Sequence, residues 1–173
     1  DAGVVAEQLG AALHPGPWLS TAVAAVRALT HFGVHGADTL SAGIADGSTI
    51  ATVGPLSGPR PTAQEAGGSI VINGAIAALP DAAVADVILV LAVEDGRTGF
   101  FSVDPASAGV TITPRDHVDP TRKLFDVELN AVPAQRLAYA SDDAIEGLVD
   151  DVLIAYAADA LGDWVAEAAP WAV

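Results

Sequence analysis

Apolar positions recur at helical spacing in the opening third of the chain. Residues 1–12 and residues 37–45 each carry an apolar stripe of this kind, which predicts two helices. A third helix is predicted between them, running toward His31. Ser20 or Thr21 is the predicted N-cap of that helix, because a hydroxyl can accept a hydrogen bond from a free N–H of the first turn. The first third of the chain is therefore predicted to be helical.

Short β-prone runs separated by turn residues follow this helical part. The predicted strands are 48–53, 69–72, 84–93, 99–103, 110–113 and 123–129. Residues 54–67 are rich in proline and glycine and predict a loop. The dipeptide Asn73-Gly74 lies between apolar runs and predicts a β-hairpin turn. Short strands at this spacing indicate an antiparallel barrel or a sandwich.

A long helical pattern returns near the end of the chain. Ser141 is a good N-cap, and the acidic residues after it favour the positive end of a helix dipole. An apolar stripe continues to Trp164, and Pro170 ends the helix. The predicted fold class is α+β with three parts. These parts are a helical segment at 1–46, a β domain at 47–139 and the start of a second helical domain at 140–173.

Composition and charge narrow the possible functions. The 173 residues are 51% hydrophobic with a mean hydropathy of +0.44, so the chain can form a substantial core. The net charge of −15 argues against binding to nucleic acids or anionic membranes, which require a basic face. The absence of cysteine excludes disulfides and thiolate chemistry and fits a reducing cytoplasm. No apolar run reaches the roughly 20 residues that span a bilayer, and we expect a cytoplasmic protein.

Common catalytic and metal-binding motifs are missing from the sequence. His31 and His35 have the spacing of a helical metal pair, but Gly33 between them and the lack of a third ligand argue against a metal site. No nucleophile elbow, Walker A loop or dinucleotide-binding glycine loop is present. Glu146 and Glu167 are interpreted as solvated helix positions. The sequence therefore predicts no metal site and no catalytic residue.

Three segments of the chain match, in order, patterns that occur together in one protein family. The block containing Asn73, Gly74, Ala85 and Asp86 matches the pattern Leu-Asn-Gly-x-Lys-x-Trp-Ile-Thr-Asn-x-x-x-Ala-Asp without a gap. Residues 53–59 match the pattern Thr-Glu-Pro-x-Ala-Gly-Ser in part, and residues 119–133 resemble a segment that carries Asp-x-x-x-Arg, then Phe-x-Asp-Val and Val-Pro. With these three segments the chain resembles the acyl-CoA dehydrogenase family. The resemblance implies a helical N-terminal segment, an antiparallel β-barrel middle domain and a helical C-terminal domain, of which this chain covers only part.

The resemblance also identifies a cofactor site whose side chains have changed. Residues that bind or approach FAD in the family correspond here to Val53, Pro55, Gly58, Ala78, Leu79 and Pro80. Pro55 and Gly58 are the family residues. The flavin-binding threonine of the first loop is replaced by Val53, and the loop's last serine by Pro59. The tryptophan and threonine of the second segment are replaced by Ala78 and Pro80. The backbone pattern is kept while flavin-bonding side chains are lost.

This combination resembles the non-catalytic subunit of bacterial α2β2 heterotetrameric acyl-CoA dehydrogenases. Such enzymes desaturate CoA thioesters of steroid side chains and other bulky acyl groups, with FAD at the interface between unlike subunits. The resemblance implies that FAD binds only with a catalytic partner subunit. Arg122 is a candidate for contact with a phosphate or the partner, or else forms a structural salt bridge. The alternatives are a fragment of a homomeric dehydrogenase and a non-enzymatic module that binds a CoA ester or a protein.

Overall fold

The computed structural model describes residues 2–34, 38–119 and 121–168. Helix α1 spans Ala2–Ala11, and α2 combines a wider π-type segment, Leu19–Ala25, with an α-helical segment, Val26–His31. The remaining helices are α3, Asp38–Asp46, and α4, Asp142–Ala168. The strands are β1 Ala51–Gly54, β2 Thr62–Ala66, β3 Ser69–Pro80, β4 Val87–Glu94, β5 Arg97–Val103, β6 Val110–Arg115 and β7 Leu124–Tyr139. The predicted order of helices, strands and a final helix is confirmed.

The strands form a closed barrel of mixed direction. Going round the barrel, β4, β2, β3, β7 and β5 pair in turn, and β5 returns to β4. β1 pairs with β4, and β6 pairs with β7. Most pairs are antiparallel, but β1 and β2 both lie parallel to β4. The predicted barrel is confirmed, with this parallel strand β1 as an added feature.

Strand β4 is buried on both faces, which explains its unbroken apolar sequence. Ile88 and Val90 belong to the cluster inside the barrel, whereas Leu89 and Leu91 belong to a second cluster under the helices. All four side chains are fully buried. A strand between two cores needs apolar residues at every position instead of alternate ones. β4 is therefore the wall that separates the barrel interior from the helical layer.

Helices α1 and α4 cross with almost no space between their backbones. A Cβ atom added at Gly10 would lie 1.8 Å from the carbonyl oxygen of Asp159, and one added at Gly162 would lie 1.8 Å from that of Glu7. These two contacts place the helices antiparallel. Only glycine permits so close an approach at either position.

In the described residues, no helix is both long and apolar enough to cross a membrane.

The hairpin turn predicted at Asn73-Gly74 is wrong. Strand β3 continues through both residues, because β2 pairs with it on one side and β7 on the other. The side chain of Asn73 accepts a hydrogen bond from the N–H of Ala131 at 2.8 Å, at a shift in the β3–β7 register. The hairpin turn lies instead at Gly67-Gly68, where φ is +61° and +81°. Its first strand, β2, falls within the stretch that was predicted to be a loop.

The capping role predicted for Ser20 or Thr21 is also wrong. The helix begins at Leu19, and no side chain caps its N-terminus. The Thr21 hydroxyl donates instead to the carbonyl of Ala51 at 2.8 Å and so ties α2 to β1. Both hydroxyl-bearing residues are buried against the barrel. Ser141 does cap α4 as predicted, accepting a hydrogen bond from the N–H of Ala144 at 3.2 Å.

Candidate functional site

A cavity of about 240 Å³ lies between the barrel, α2 and α4. We call it the central cavity. Five of the six residues predicted to contact a cofactor line it: Val53, Pro55, Ala78, Leu79 and Pro80. They come from two segments that are distant in sequence. The pairing of β1 with β4 places the end of β1 beside the second half of β3, so the two segments meet here. Gly58 lies outside the lining, in a turn with φ of +80°.

A bulge in β3 shapes one wall of the central cavity. The β3–β7 register shifts between Ile76 and Leu79, and Ala78 within this bulge has a left-handed φ of +53°. The N–H of Ala78 donates to Oδ1 of Asp126 at 3.0 Å, and Arg115 binds the same carboxylate. The hydrogen bond from Ala78, then that from Arg115, holds the pKa of Asp126 below its usual range. An ionised carboxylate thus fixes the backbone at Ala78.

Two hydroxyl groups in the wall of the central cavity are already bonded within the chain. Ser20 Oγ donates to Oδ2 of Asp81 at 2.6 Å, and Thr52 Oγ1 donates to the carbonyl of Pro80 at 2.7 Å. Both bonds tie neighbouring elements to the end of β3. No local sequence pattern marks Ser20 or Thr52 as residues of this site, because their partners are far away in sequence.

Tyr156 lies where the central cavity meets a second one. Both cavities are lined by Tyr156 and Pro80, and the second, of about 260 Å³, also has His117, Arg122 and Lys123 in its wall. Burial raises the pKa of the Tyr156 hydroxyl. This hydroxyl has no hydrogen-bond partner among the described residues. Tyr156 lies in the part of α4 for which the sequence predicts an apolar stripe, and its hydroxyl is the feature that indicates contact with a polar cavity.

Arg122 forms an internal ion pair with α4. Its guanidinium binds the buried carboxylate of Asp159 and lies 3.8 Å from that of Asp119. It also lies 5.7 Å from the centre of the Tyr156 ring. The structural salt bridge considered for Arg122 is therefore present, and it joins the segment before β7 to α4.

The described residues contain no cluster of His, Asp and Glu that could hold a metal ion.

Solved structures with known activities share this architecture. The chain superposes on butyryl-CoA dehydrogenase from Megasphaera elsdenii with a TM-score of 0.84 and 18% identity, over 96% of this chain and 50% of that one. It matches the ChsE4-ChsE5 complex from Mycobacterium tuberculosis with a TM-score of 0.81 and 24% identity, over 93% and 45%. The chain has the acyl-CoA dehydrogenase fold.

Other comparisons refine this result. A variant of the Tcur3481-Tcur3483 steroid ACAD matches with a TM-score of 0.77 and 28% identity, over 93% of this chain and 45% of that one. The chain spans about half the length of the solved structures it matches. No protein-family model and no curated protein matches the sequence. The resemblance to acyl-CoA dehydrogenases found in the sequence motifs is thus confirmed in three dimensions.

The side chains at the positions that bind flavin in the family do not fit a flavin ring. The polar edge of a flavin needs hydrogen-bond donors and acceptors, and burying it without them is costly. Val53, Ala78 and Pro80 offer no polar side-chain atom, and proline has no N–H. The N–H of Ala78 and the hydroxyls of Ser20 and Thr52 are engaged internally. We therefore assign no flavin contact to these residues.

Proposed function

We propose that the chain is the non-catalytic subunit of an FAD-dependent acyl-CoA dehydrogenase complex. The observation that carries this proposal is the central cavity. Its walls come from the segments that hold flavin in the family, yet Val53, Ala78 and Pro80 carry no polar side-chain atom, and the N–H of Ala78 and the hydroxyls of Ser20 and Thr52 are used within the chain. A scaffold that keeps its shape without these contacts fits a subunit whose partner supplies them.

The solved relatives support a heteromeric assembly. One is a complex of ChsE4 with ChsE5, and another is a Tcur3481-Tcur3483 steroid ACAD. By analogy, the proposed substrates are CoA thioesters with bulky acyl groups such as steroid side chains. The proposed reaction is α,β-desaturation in a cytoplasmic complex. Proton removal and hydride acceptance belong to the partner subunit, and we give no residue of this chain a step in the reaction.

The contribution of this chain is structural. The barrel face and α4 would complete the interface, and FAD would be retained only when the partner is present. The limits 1–46, 47–139 and 140–173 are our proposal for the three parts of the chain. Arg122 would stabilise the surface that meets the partner, through its ion pair with Asp159, instead of binding phosphate directly.

One observation favours a second candidate function, a binding module for a CoA ester or another ligand. The Tyr156 hydroxyl lies between two cavities without a hydrogen-bond partner in the described part of the chain. Such a group could orient a ligand without any redox chemistry. A homomeric dehydrogenase fragment is less consistent with the structure, because truncation does not explain Val53 and Ala78 at the cavity wall.

Co-expression tests the proposal. The chain would be purified alone and together with acyl-CoA dehydrogenase-like chains of the same genome that keep the threonine and tryptophan at the flavin positions. We expect no visible flavin absorbance from the chain alone, and both flavin and acyl-CoA desaturation from one particular pair. Flavin retained by the chain alone would refute the proposal. Tight acyl-CoA binding by the chain alone, with no activity in any pair, would favour the binding module.

A further inference from the structure

Unlike the other arginines of the chain, Arg60 has no partner for its guanidinium among the described residues. The other arginines are paired with carboxylates or an aromatic ring: Arg27, Arg115, Arg122 and Arg136 with carboxylates and Arg97 with Tyr139. Lys123 is exposed to solvent. Arg60 is half-buried, and its Nε is shielded from solvent without a hydrogen-bond partner. This cation is therefore available to an anionic group from outside the chain.

Arg60 is held in place by the residues on either side of it. Prolines precede and follow it, and a residue before proline is restricted to extended conformations. The carbonyl of Pro61 accepts a hydrogen bond from the N–H of Val93 at 2.8 Å, which fixes the segment to β4. Arg60 lines an open groove of about 460 Å³ between this segment and α4. The arginine thus has a rigid attachment on the barrel side of the groove.

The opposite wall of the groove is acidic with an apolar floor. Asp142, Glu146 and Asp150 follow one another at intervals of four residues along α4, and all three are exposed. Ile145 and Val149 lie between them in the lining. None of these carboxylates forms an ion pair with Arg60 in the structure. The groove therefore combines one cation, three anions and an apolar base.

This charge pattern selects one kind of occupant. A free phosphate would meet Arg60 but would be repelled by three carboxylates. A second copy would bring the same acidic wall and another net charge of −15. A protein segment that is mostly basic, with a single carboxylate opposite Arg60, complements every charged group of the groove. Charge complementarity thus favours a different polypeptide.

Beyond the groove, an exposed apolar surface follows the second half of α4. Five large apolar side chains there are largely exposed: Leu153, Ile154, Leu161, Trp164 and Val165, at 60%, 64%, 50%, 67% and 47%. A contiguous exposed apolar patch commonly marks a surface that another polypeptide covers. A partner that occupies the groove and continues along α4 would cover this stretch as well.

We propose that the groove of Arg60 and α4 receives a mostly basic segment of the partner subunit. The segment carries one carboxylate opposite Arg60 and apolar residues opposite the second half of α4. This inference rests on the proposed function, because it identifies the chemistry of the partner surface in that complex.

Charge reversal on both walls of the groove provides the test. The affinity for the partner that co-purifies in the co-expression experiment would be measured by calorimetry for the wild type, Arg60→Glu and Glu146→Lys. Asp116→Lys makes the same change in charge as Glu146→Lys at an exposed position outside the groove. We expect affinity to fall about tenfold or more in both groove variants, because each reversal turns an attraction to the partner into a repulsion. The control should stay within about threefold of the wild type.

A photo-crosslinking residue at position 146, with one at position 116 as control, tests the contact without changing charge. Cross-links to the partner from position 146 and not from 116 would support the proposal. A complex whose affinity is unchanged by both groove variants and which cross-links only from position 116 would overturn it, while leaving the proposed function intact. Arg60→Ala that lowers thermal stability and leaves affinity unchanged would also overturn it, because Arg60 would then serve the fold. Failure of the wild-type chain to form any complex would overturn both proposals.

Discussion

Ser20 Oγ lies 2.6 Å from Oδ2 of Asp81, across 61 residues of sequence. This hydrogen bond joins the first turn of α2 to the end of β3, directly beside the central cavity. Ser20 is buried, with 3% of its surface exposed. A group that would otherwise be free to bind a ligand is therefore used to hold the helical layer against the barrel.

Replacing Ser20 with alanine should destabilise the fold without creating a flavin site. The loss of a hydrogen bond to a carboxylate should cost about 1 to 2 kcal/mol of unfolding free energy. Urea denaturation of wild type and Ser20→Ala measures this directly. Thr30→Ala is a matched control, because the Thr30 hydroxyl bonds only within its own helix in an exposed position. Equal stabilities of Ser20→Ala and the wild type would contradict the role given to this bond.

The close crossing of α1 and α4 predicts strong sensitivity to a single methyl group. Gly10→Ala and Gly162→Ala would each place a Cβ against a backbone carbonyl, and we expect a loss of about 2 to 3 kcal/mol from such overpacking. Gly147→Ala is the control on the same helix. Its Cβ would meet side-chain atoms of His31 at 3.0 Å, a ring that is hydrogen-bonded to Asp151, so this change should cost less than the other two. Thermal unfolding of the three variants would distinguish these outcomes.

The ion pair of Arg122 with Asp159 should behave as a buried pair. Arg122→Leu leaves the carboxylate of Asp159, with 4% of the residue exposed, without its cation, and should cost about 3 kcal/mol. The double variant Arg122→Leu/Asp159→Leu should recover part of that loss, because no isolated charge remains. A double-mutant cycle by denaturant unfolding measures the coupling. Additive effects of the two single changes would mean that the pair makes no net contribution.

A second network predicts how stability depends on pH. Arg136 donates two hydrogen bonds to Glu94, at 2.8 and 2.6 Å, and Tyr139 donates a third. The bonds from Arg136 hold the pKa of Glu94 below its usual range, although burial opposes the shift. A lowered folded-state pKa stabilises the fold above the unfolded-state pKa. That stabilisation is lost as pH falls through the folded-state pKa.

Glu94→Gln should therefore be less stable than the wild type at neutral pH and approach it in acid. Arg136 is partly exposed, so we expect a difference of only about 1 to 2 kcal/mol at pH 7. Unfolding midpoints would be compared from neutral pH to pH values below the usual range of a glutamate. A difference that stays constant across this range would show that the charge of Glu94 does not contribute.

The sequence predicted the element order because helical and strand periodicities are local. The family motifs in the sequence also predicted that Val53 and Ala78 belong to one site, and both line the central cavity. The features that the sequence did not predict depend on pairing between residues that are distant along the chain. Asn73-Gly74 has the composition of a turn, but pairing with β2 and β7 keeps β3 extended there. The bonds of Ser20 and Thr52 and the parallel pairing of β1 with β4 join segments that no local pattern relates.

The amount of FAD bound to the purified chain shows whether its flavin site depends on a partner. The chain would be expressed alone and with its partner, and bound FAD would be quantified per chain after purification by visible absorbance and by release on denaturation. We expect no FAD on the chain alone, and stoichiometric FAD with acyl-CoA desaturation in the complex. Stoichiometric FAD on the chain alone would contradict it, because the central cavity would then hold the flavin without the missing side chains.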